Sequence, residues 1–155
     1  MASLAHRLID HHGILPDQMA LISPHRAQNN AIIERLGELM GVRRDKSGAG
    51  DPEIPCVDTV ELVQGAERDI IIFGITSSDP DHLLSEFLNS PNRLNVAMTR
   101  AKTKLIIIGS QNFFSVIPDS EPLLKKNSCF KQLMEHCERQ NAVVVIPRPP
   151  SANPL

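Results

Sequence analysis

Short, wholly apolar runs alternate along this chain with longer stretches in which apolar positions recur every three or four residues. Met19-Ala20-Leu21-Ile22 is the first apolar run, closed by Ser23-Pro24, and it predicts a buried strand. Val57 to Val60 and Ile70 to Thr76 predict two more strands, and Leu105-Ile106-Ile107-Ile108-Gly109 carries a fourth over 104–109. Ala142 to Ile146, rich in β-branched residues, reads as a last strand. Between these runs, Leu4, Leu8 and Ile9 mark a short amphipathic helix over 4–13 that stops at Gly13, followed by a turn at Leu15-Pro16-Asp17. Ala31, Ile32, Leu36, Leu39 and Met40 supply the stripe of a helix over 27–40. A short helical turn is expected around 111–116 and a longer helix around 128–140.

The remaining segments read as connections. Residues 41–55 are Gly- and Pro-rich, 64–69 are polar, and 77–90 are acidic, with one helical turn at 83–87. Four prolines in the last nine residues predict a disordered tail over 147–155, leaving 1–146 as one domain. Strands apolar on both faces, alternating with helices, predict an α/β fold with a mostly parallel sheet covered on both sides. Ligands of such folds gather at the carboxyl ends of strands. Ser23, Thr59 and the loop before residue 91 stand at strand or helix ends, which predicts a single functional edge.

One helix departs from the plain amphipathic pattern. Ser90-Pro91 supplies a preferred cap and a first-turn proline, and Arg93, Val96, Ala97 and Arg100 then share one face. Arg100 falls at the end of that helix, directly before the apolar strand. A guanidinium fork placed there suits phosphate better than any other side chain.

Composition narrows the picture. At 155 residues, 41% apolar and 22% charged, the chain is an ordinary single globular domain. A net charge of -2 argues against a general polyanion binder. Five Phe without Trp or Tyr rule out a stacking platform of several aromatics for single strands. Cys56, Cys129 and Cys137 lack Cys-x-x-Cys spacing, so free thiols in a reducing, intracellular setting are expected, cytoplasmic or, in a eukaryote, nuclear. His11-His12 and His136-Cys137 are isolated pairs without a matching second pair, so no metal site is expected. Asp79, Asp81 and Glu86 read as a solvated connection, and Lys102, Lys104, Lys125 and Lys126 as solvated faces. The apolar runs are strand-length, so neither a membrane span nor a signal peptide is expected.

Three segments together carry a family resemblance. Arg93-Leu94-Asn95-Val96-Ala97-Met98-Thr99-Arg100-Ala101-Lys102 resembles motif VI of superfamily one helicases, in which the arginine after threonine is the arginine finger. Val57-Asp58-Thr59-Val60-Glu61-Leu62-Val63-Gln64-Gly65-Ala66-Glu67-Arg68-Asp69 resembles motif V, and Ile22-Ser23-Pro24-His25-Arg26-Ala27-Gln28 is similar to motif IV. They stand in family order across roughly residues 19–110. The resemblance is to the C-terminal, second RecA-like domain of the 5′→3′ branch, the branch of RNA-decay and DNA-replication helicases. It implies a three-layer RecA-like fold that lacks its own P-loop. No Gly-Lys-Ser/Thr run and no Asp-Glu dipeptide occurs in the chain. ATP and Mg2+ are therefore expected to be held mainly by a first RecA-like domain of the same polypeptide, which should extend upstream of Met1. By itself this chain is expected not to hydrolyse ATP.

The resemblance assigns roles residue by residue. Arg100 would be the finger that meets the γ-phosphate, where the plain alternative is an arginine capping a helix end. Arg93 would anchor its helix or touch nucleotide. Gln64, Gly65 and Glu67 would approach the nucleotide, with Glu67 accepting from ribose hydroxyls; the alternative is a loop acid paired with Arg68. Ser23, His25 and Thr59 would meet nucleic-acid phosphates of a single strand, although a threonine also packs well in a strand. Some relatives have arginine directly after the motif IV glutamine, where this chain has Asn29. Either Arg26 substitutes for it or the site relies on Arg100, and Gln28 supports the motif from within. The alternative for the whole chain is a stand-alone, non-catalytic nucleic-acid-binding or interaction module.

Overall fold

The computed structural model describes residues 1–42, 53–60, 67–75 and 90–147. Their elements in chain order are α1 (Ala2–His12), a 3-10 turn (Pro16–Gln18), β1 (Met19–Ile22), α2 (Arg26–Met40), β2 (Cys56–Asp58) and β3 (Arg68–Gly74). Then come α3 (Pro91–Thr99), β4 (Ala101–Ile108), α4 (Gln111–Ser115) and α5 (Glu121–Arg139). The four strands form one sheet in the order β2-β1-β3-β4, and every neighbouring pair is parallel. This is the α/β architecture that doubly apolar strands dictate.

Side chains leave alternate faces of a strand, and each face here has its own core. Met19 and Leu21 of β1 and Ile70 and Ile72 of β3 pack with Ala2, Ala5, Ile32 and Leu36 of α1 and α2. Ala20, Ile22, Ile71 and Phe73 point the other way, against Leu94 and Ala97 of α3, Phe113 of α4 and Phe130 of α5. Phe113 is fully buried and meets Phe114 and Phe130 edge-on, with ring centroids 5.3 and 5.0 Å away. Among the described residues the result is three layers: two helices, a sheet and three helices.

Local chemistry sets the element ends. Gly13 closes α1 and Gly41 closes α2 in the left-handed conformation, at φ 64° and 70°. Ser90 caps α3, its hydroxyl accepting from the Arg93 N–H at 3.4 Å, with Pro91 behind it. Ser110 caps α4 in the same way, accepting from the Phe113 N–H at 3.2 Å.

Several bounds differ from the sequence expectation for identifiable reasons. β2 runs over 56–58 rather than 57–60, because the Asp58 carboxylate accepts from the Thr59 N–H at 2.8 Å and turns the chain away. β3 begins at Arg68, two residues early, and β4 at Ala101, three residues early. Their first ladder pair, Arg68 with Ala101, lies beyond the apolar run. A register irregularity between Arg68 and Ile70 sets Lys102 and Thr103 opposite Asp69 before Lys104 pairs with Ile70, and these polar residues leave no hydrophobic pattern to read. α5 begins at Glu121 rather than 128, with Pro122 in its first turn and the Leu124 N–H donating to the Ser120 carbonyl at 2.9 Å.

The expected last strand does not form. Residues 142–147 have no regular structure, and Val144, Val145 and Ile146 are 84, 77 and 83% exposed. β-branched residues favour a strand only where a neighbouring strand and a packed face receive them, and among the described residues neither does. The expected loops over 41–55 and 77–90 and the tail after Pro147 fall largely outside the described residues.

Candidate nucleotide and nucleic-acid site

The register sorts the candidate residues onto two edges of the sheet. Ile22 of β1 stands beside Asp58 of β2 and Phe73 of β3, so Ser23 and Thr59 emerge together at the carboxyl edge. Arg68 opens β3 beside Ala101 of β4, so Glu67 and Arg100 meet at the amino edge. The six residue steps from Arg68 to Gly74 put the edges about 20 Å apart along the strands. Ser23 and Thr59, expected from the sequence to share an edge, do share it, while Glu67 and Arg100 stand at the other edge because α3 carries the chain back across the sheet before β4.

At the carboxyl edge, Ser23 is fully buried and Thr59 is 7% exposed. The Ser23 N–H donates to the Asp58 carbonyl at 3.2 Å, joining the ends of β1 and β2. Its hydroxyl reaches Asn29 Oδ1 at 2.7 Å and the His25 carbonyl at 3.2 Å. One proton serves both acceptors, and the shorter contact is the stronger bond. Ser23 thus builds the β1–α2 turn from inside rather than presenting its hydroxyl at the surface. Asn29, where some superfamily one relatives have arginine, is 4% exposed and holds that turn, while its Nδ2 has no hydrogen-bond partner. His25, the N-cap residue of α2, and Arg26, its first residue, are exposed. With the α2 N-terminus they offer the carboxyl edge's accessible groups suited to anions.

At the amino edge, the backbone of Arg100 is fixed from two sides. Its N–H donates to the Ala97 carbonyl at 3.3 Å and its own carbonyl accepts from the Arg68 N–H at 3.0 Å. Its half-exposed guanidinium lies along the end of α3, Nε donating to the Val96 carbonyl and Nη2 to Thr99 Oγ1, each at 3.4 Å. These two bonds have the geometry of helix-end capping. Glu67 is exposed directly before β3. Arg68 Nη1 donates to the Glu67 carbonyl at 2.9 Å, while its Nε is buried without a hydrogen-bond partner. Lys102 and Lys104 are exposed on the neighbouring β4, so guanidinium and ammonium groups concentrate on this edge. Arg93 lies in the first turn of α3, two turns from Arg100 and nearer the carboxyl edge. Arg26 is on the carboxyl edge too, so the fold does not bring it beside Arg100.

Gln64 and Gly65 lie outside the described residues. Among the described residues no group of three His, Cys, Asp or Glu side chains could hold a metal ion, and no helix is long and apolar enough to cross a membrane. Two participants escaped the sequence reading. Asn29 as the partner of Ser23 left no signal beyond a polar residue on the apolar stripe of α2. Thr99, whose hydroxyl donates back to the Val96 carbonyl at 3.1 Å, was signalled by a hydroxyl residue in a last helical turn.

An all-parallel sheet between helical layers, with an arginine delivered to the sheet edge at the end of a crossover helix, defines a RecA-like domain of the superfamily one helicase type. The chain belongs to the AAA domain family, which it matches over residues 1–112. It is 28% identical over 131 residues to the ATP-dependent helicase upf1 of Schizosaccharomyces pombe, covering 84% of this chain and 12% of that protein. It is 30% identical over 135 residues to the DNA replication ATP-dependent helicase/nuclease DNA2 of Bos taurus, covering 87% and 11%. The DNA2 protein of Mus musculus is 35% identical over 106 residues, covering 68% and 9%. The chain spans only about a tenth of the length of these curated relatives, 9 to 12%. The chain is a second RecA-like domain of the superfamily one helicase type.

Proposed function

We propose that residues 1–146 are the C-terminal motor domain of an ATP-dependent nucleic-acid helicase of the 5′→3′ branch. The placement of Arg100 carries the reading. Phosphoryl transfer builds charge on γ-phosphate oxygens, and a guanidinium arriving from outside the P-loop stabilises it. Arg100 has a backbone anchored in both α3 and the sheet and a tip held, among the described residues, by two long hydrogen bonds. Such a side chain reaches across a cleft without unfolding anything.

ATP with Mg2+ is bound mainly by a first RecA-like domain of the same polypeptide, and closure brings Arg100 and Glu67 onto the nucleotide. Gln64 and Gly65, just before Glu67, belong to the same approach, and Arg93 steadies the helix that carries Arg100. At the other edge, His25 and Arg26, with Thr59 behind them, grip phosphates of one strand. Ser23 shapes their turn. Because ligand at one edge and strand at the other are joined by a single rigid domain, each hydrolytic cycle advances the grip. Contacts made to the backbone give salt-dependent, largely sequence-independent binding.

The test is nucleic-acid-stimulated ATP hydrolysis by the full-length polypeptide, wild type against Arg100→Ala. Loss of turnover by a factor of about 10³ or more, with ATP binding retained, is the expected result. Near-normal turnover in the variant would return Arg100 to helix capping. A wild-type protein without hydrolysis would favour the non-catalytic nucleic-acid-binding module.

A further inference from the structure

The last turn of α3 carries a group that the arginine-finger reading does not use. The Arg100 N–H would ordinarily bond the Val96 carbonyl, four residues back, but it turns instead to the Ala97 carbonyl at 3.3 Å. The Val96 carbonyl is left to side chains. It accepts from the Thr99 hydroxyl at 3.1 Å and from Arg100 Nε at 3.4 Å. The hydroxyl has one proton, and that proton goes to Val96, so the oxygen lone pairs are left to receive Arg100 Nη2 at 3.4 Å. Guanidinium, hydroxyl and carbonyl close a triangle.

We propose that Thr99 is a positioning residue for Arg100, setting the direction of its guanidinium before a phosphoryl group arrives. This rests on the arginine-finger reading and adds a residue to it. The base of Arg100 needs no help, since the Arg68 N–H holds its carbonyl at 3.0 Å. The tip does, because a half-exposed arginine otherwise samples many rotamers, and a charge lowers a barrier only when it already points where charge develops. The position requires a group that donates on one side and accepts on the other. Threonine and serine do both. Valine, identical in shape to threonine, does neither.

That contrast supplies the experiment. Stimulated ATP hydrolysis is measured on the full-length polypeptide for Thr99→Val, Thr99→Ser and Arg100→Ala side by side. Thr99→Val should lower kcat about tenfold while KM for ATP moves by less than about twofold, and Thr99→Ser should return kcat to near wild type. Unchanged kcat in Thr99→Val beside a collapse in Arg100→Ala overturns the role of Thr99 and leaves the finger standing. Equal losses in the valine and serine variants also overturn it, since packing of the γ-methyl would then be responsible. Normal turnover in Arg100→Ala removes the finger and the positioning role together.

Discussion

The N–H of Arg68 donates to the carbonyl of Arg100 at 3.0 Å, so the first residue of β3 fixes the residue that ends α3. Motif V and motif VI therefore meet through backbone rather than through charge. Glu67 and Arg100 keep their spacing whatever their side chains do, because a ladder bond between strands is far stiffer than an ion pair at a surface.

Ser23→Ala should destabilise the chain by about 1–3 kcal/mol, because it leaves a buried Asn29 amide, already short of one partner, with none. Urea denaturation measures the loss. Ser23→Ala combined with Asn29→Ala should cost clearly less than the sum of the single changes, since the two side chains share a 2.7 Å bond.

Phe113→Ala should cost about 3–5 kcal/mol. The ring is fully buried at the meeting of α4 and α5 and touches two other rings edge-on, so its removal opens a cavity that those neighbours cannot fill. Thermal melting followed by circular dichroism should show either a much lower midpoint or no cooperative transition.

Stability should decline in alkali. Burial pushes the Cys56 thiol up, the Asp58 carboxylate adds to the effect and the Arg68 guanidinium opposes it. Burial also pushes up the Cys129 thiol, against backbone hydrogen bonding. An acid whose pKa is raised by folding contributes stability fully below its ordinary value, here 9.0, and loses it as pH rises through the folded-state value. Urea midpoints should fall above that pH, and Cys56→Ser with Cys129→Ser should flatten the fall. Alkylation of both thiols at pH 8 should be slower than that of a cysteine peptide, because the thiolate is the nucleophile.

Val144→Ser and Ile146→Ser should change stability by less than about 0.5 kcal/mol, although both replace large apolar residues. At 84 and 83% exposure these side chains bury too little area to matter. The same variants should be more soluble, which static light scattering would register.

These contrasts show where sequence was informative. Met19–Ile22 was legible to the residue because an all-apolar run between a turn and a Ser-Pro pair has one solution, a strand buried on both faces. Ser90-Pro91 announced the start of α3 for an equally local reason. The amino ends of β3 and β4 were not legible, because Arg68 and Ala101–Lys104 join the ladder through backbone bonds that leave no hydrophobic mark. Val143 to Ile146 misled in the opposite direction, having strand composition without a neighbouring strand. Helical spacing and the Ser90-Pro91 start placed Arg100 at a helix end beside the sheet. The motifs were silent on which edge each candidate occupies, since that depends on pairing between segments far apart in the chain.

α3 has a property that its role as a crossover conceals. Its nine residues span about 13 Å, with Arg93 in the first turn and Arg100 just past the last, and hydrogen-bonded backbone does not stretch over such a length. It behaves as a strut. A push along its axis at the Ser90 end is carried to the Arg100 end, where the Arg68 N–H holds the chain to the first residue of β3, so displacement travels across the domain through one short rod.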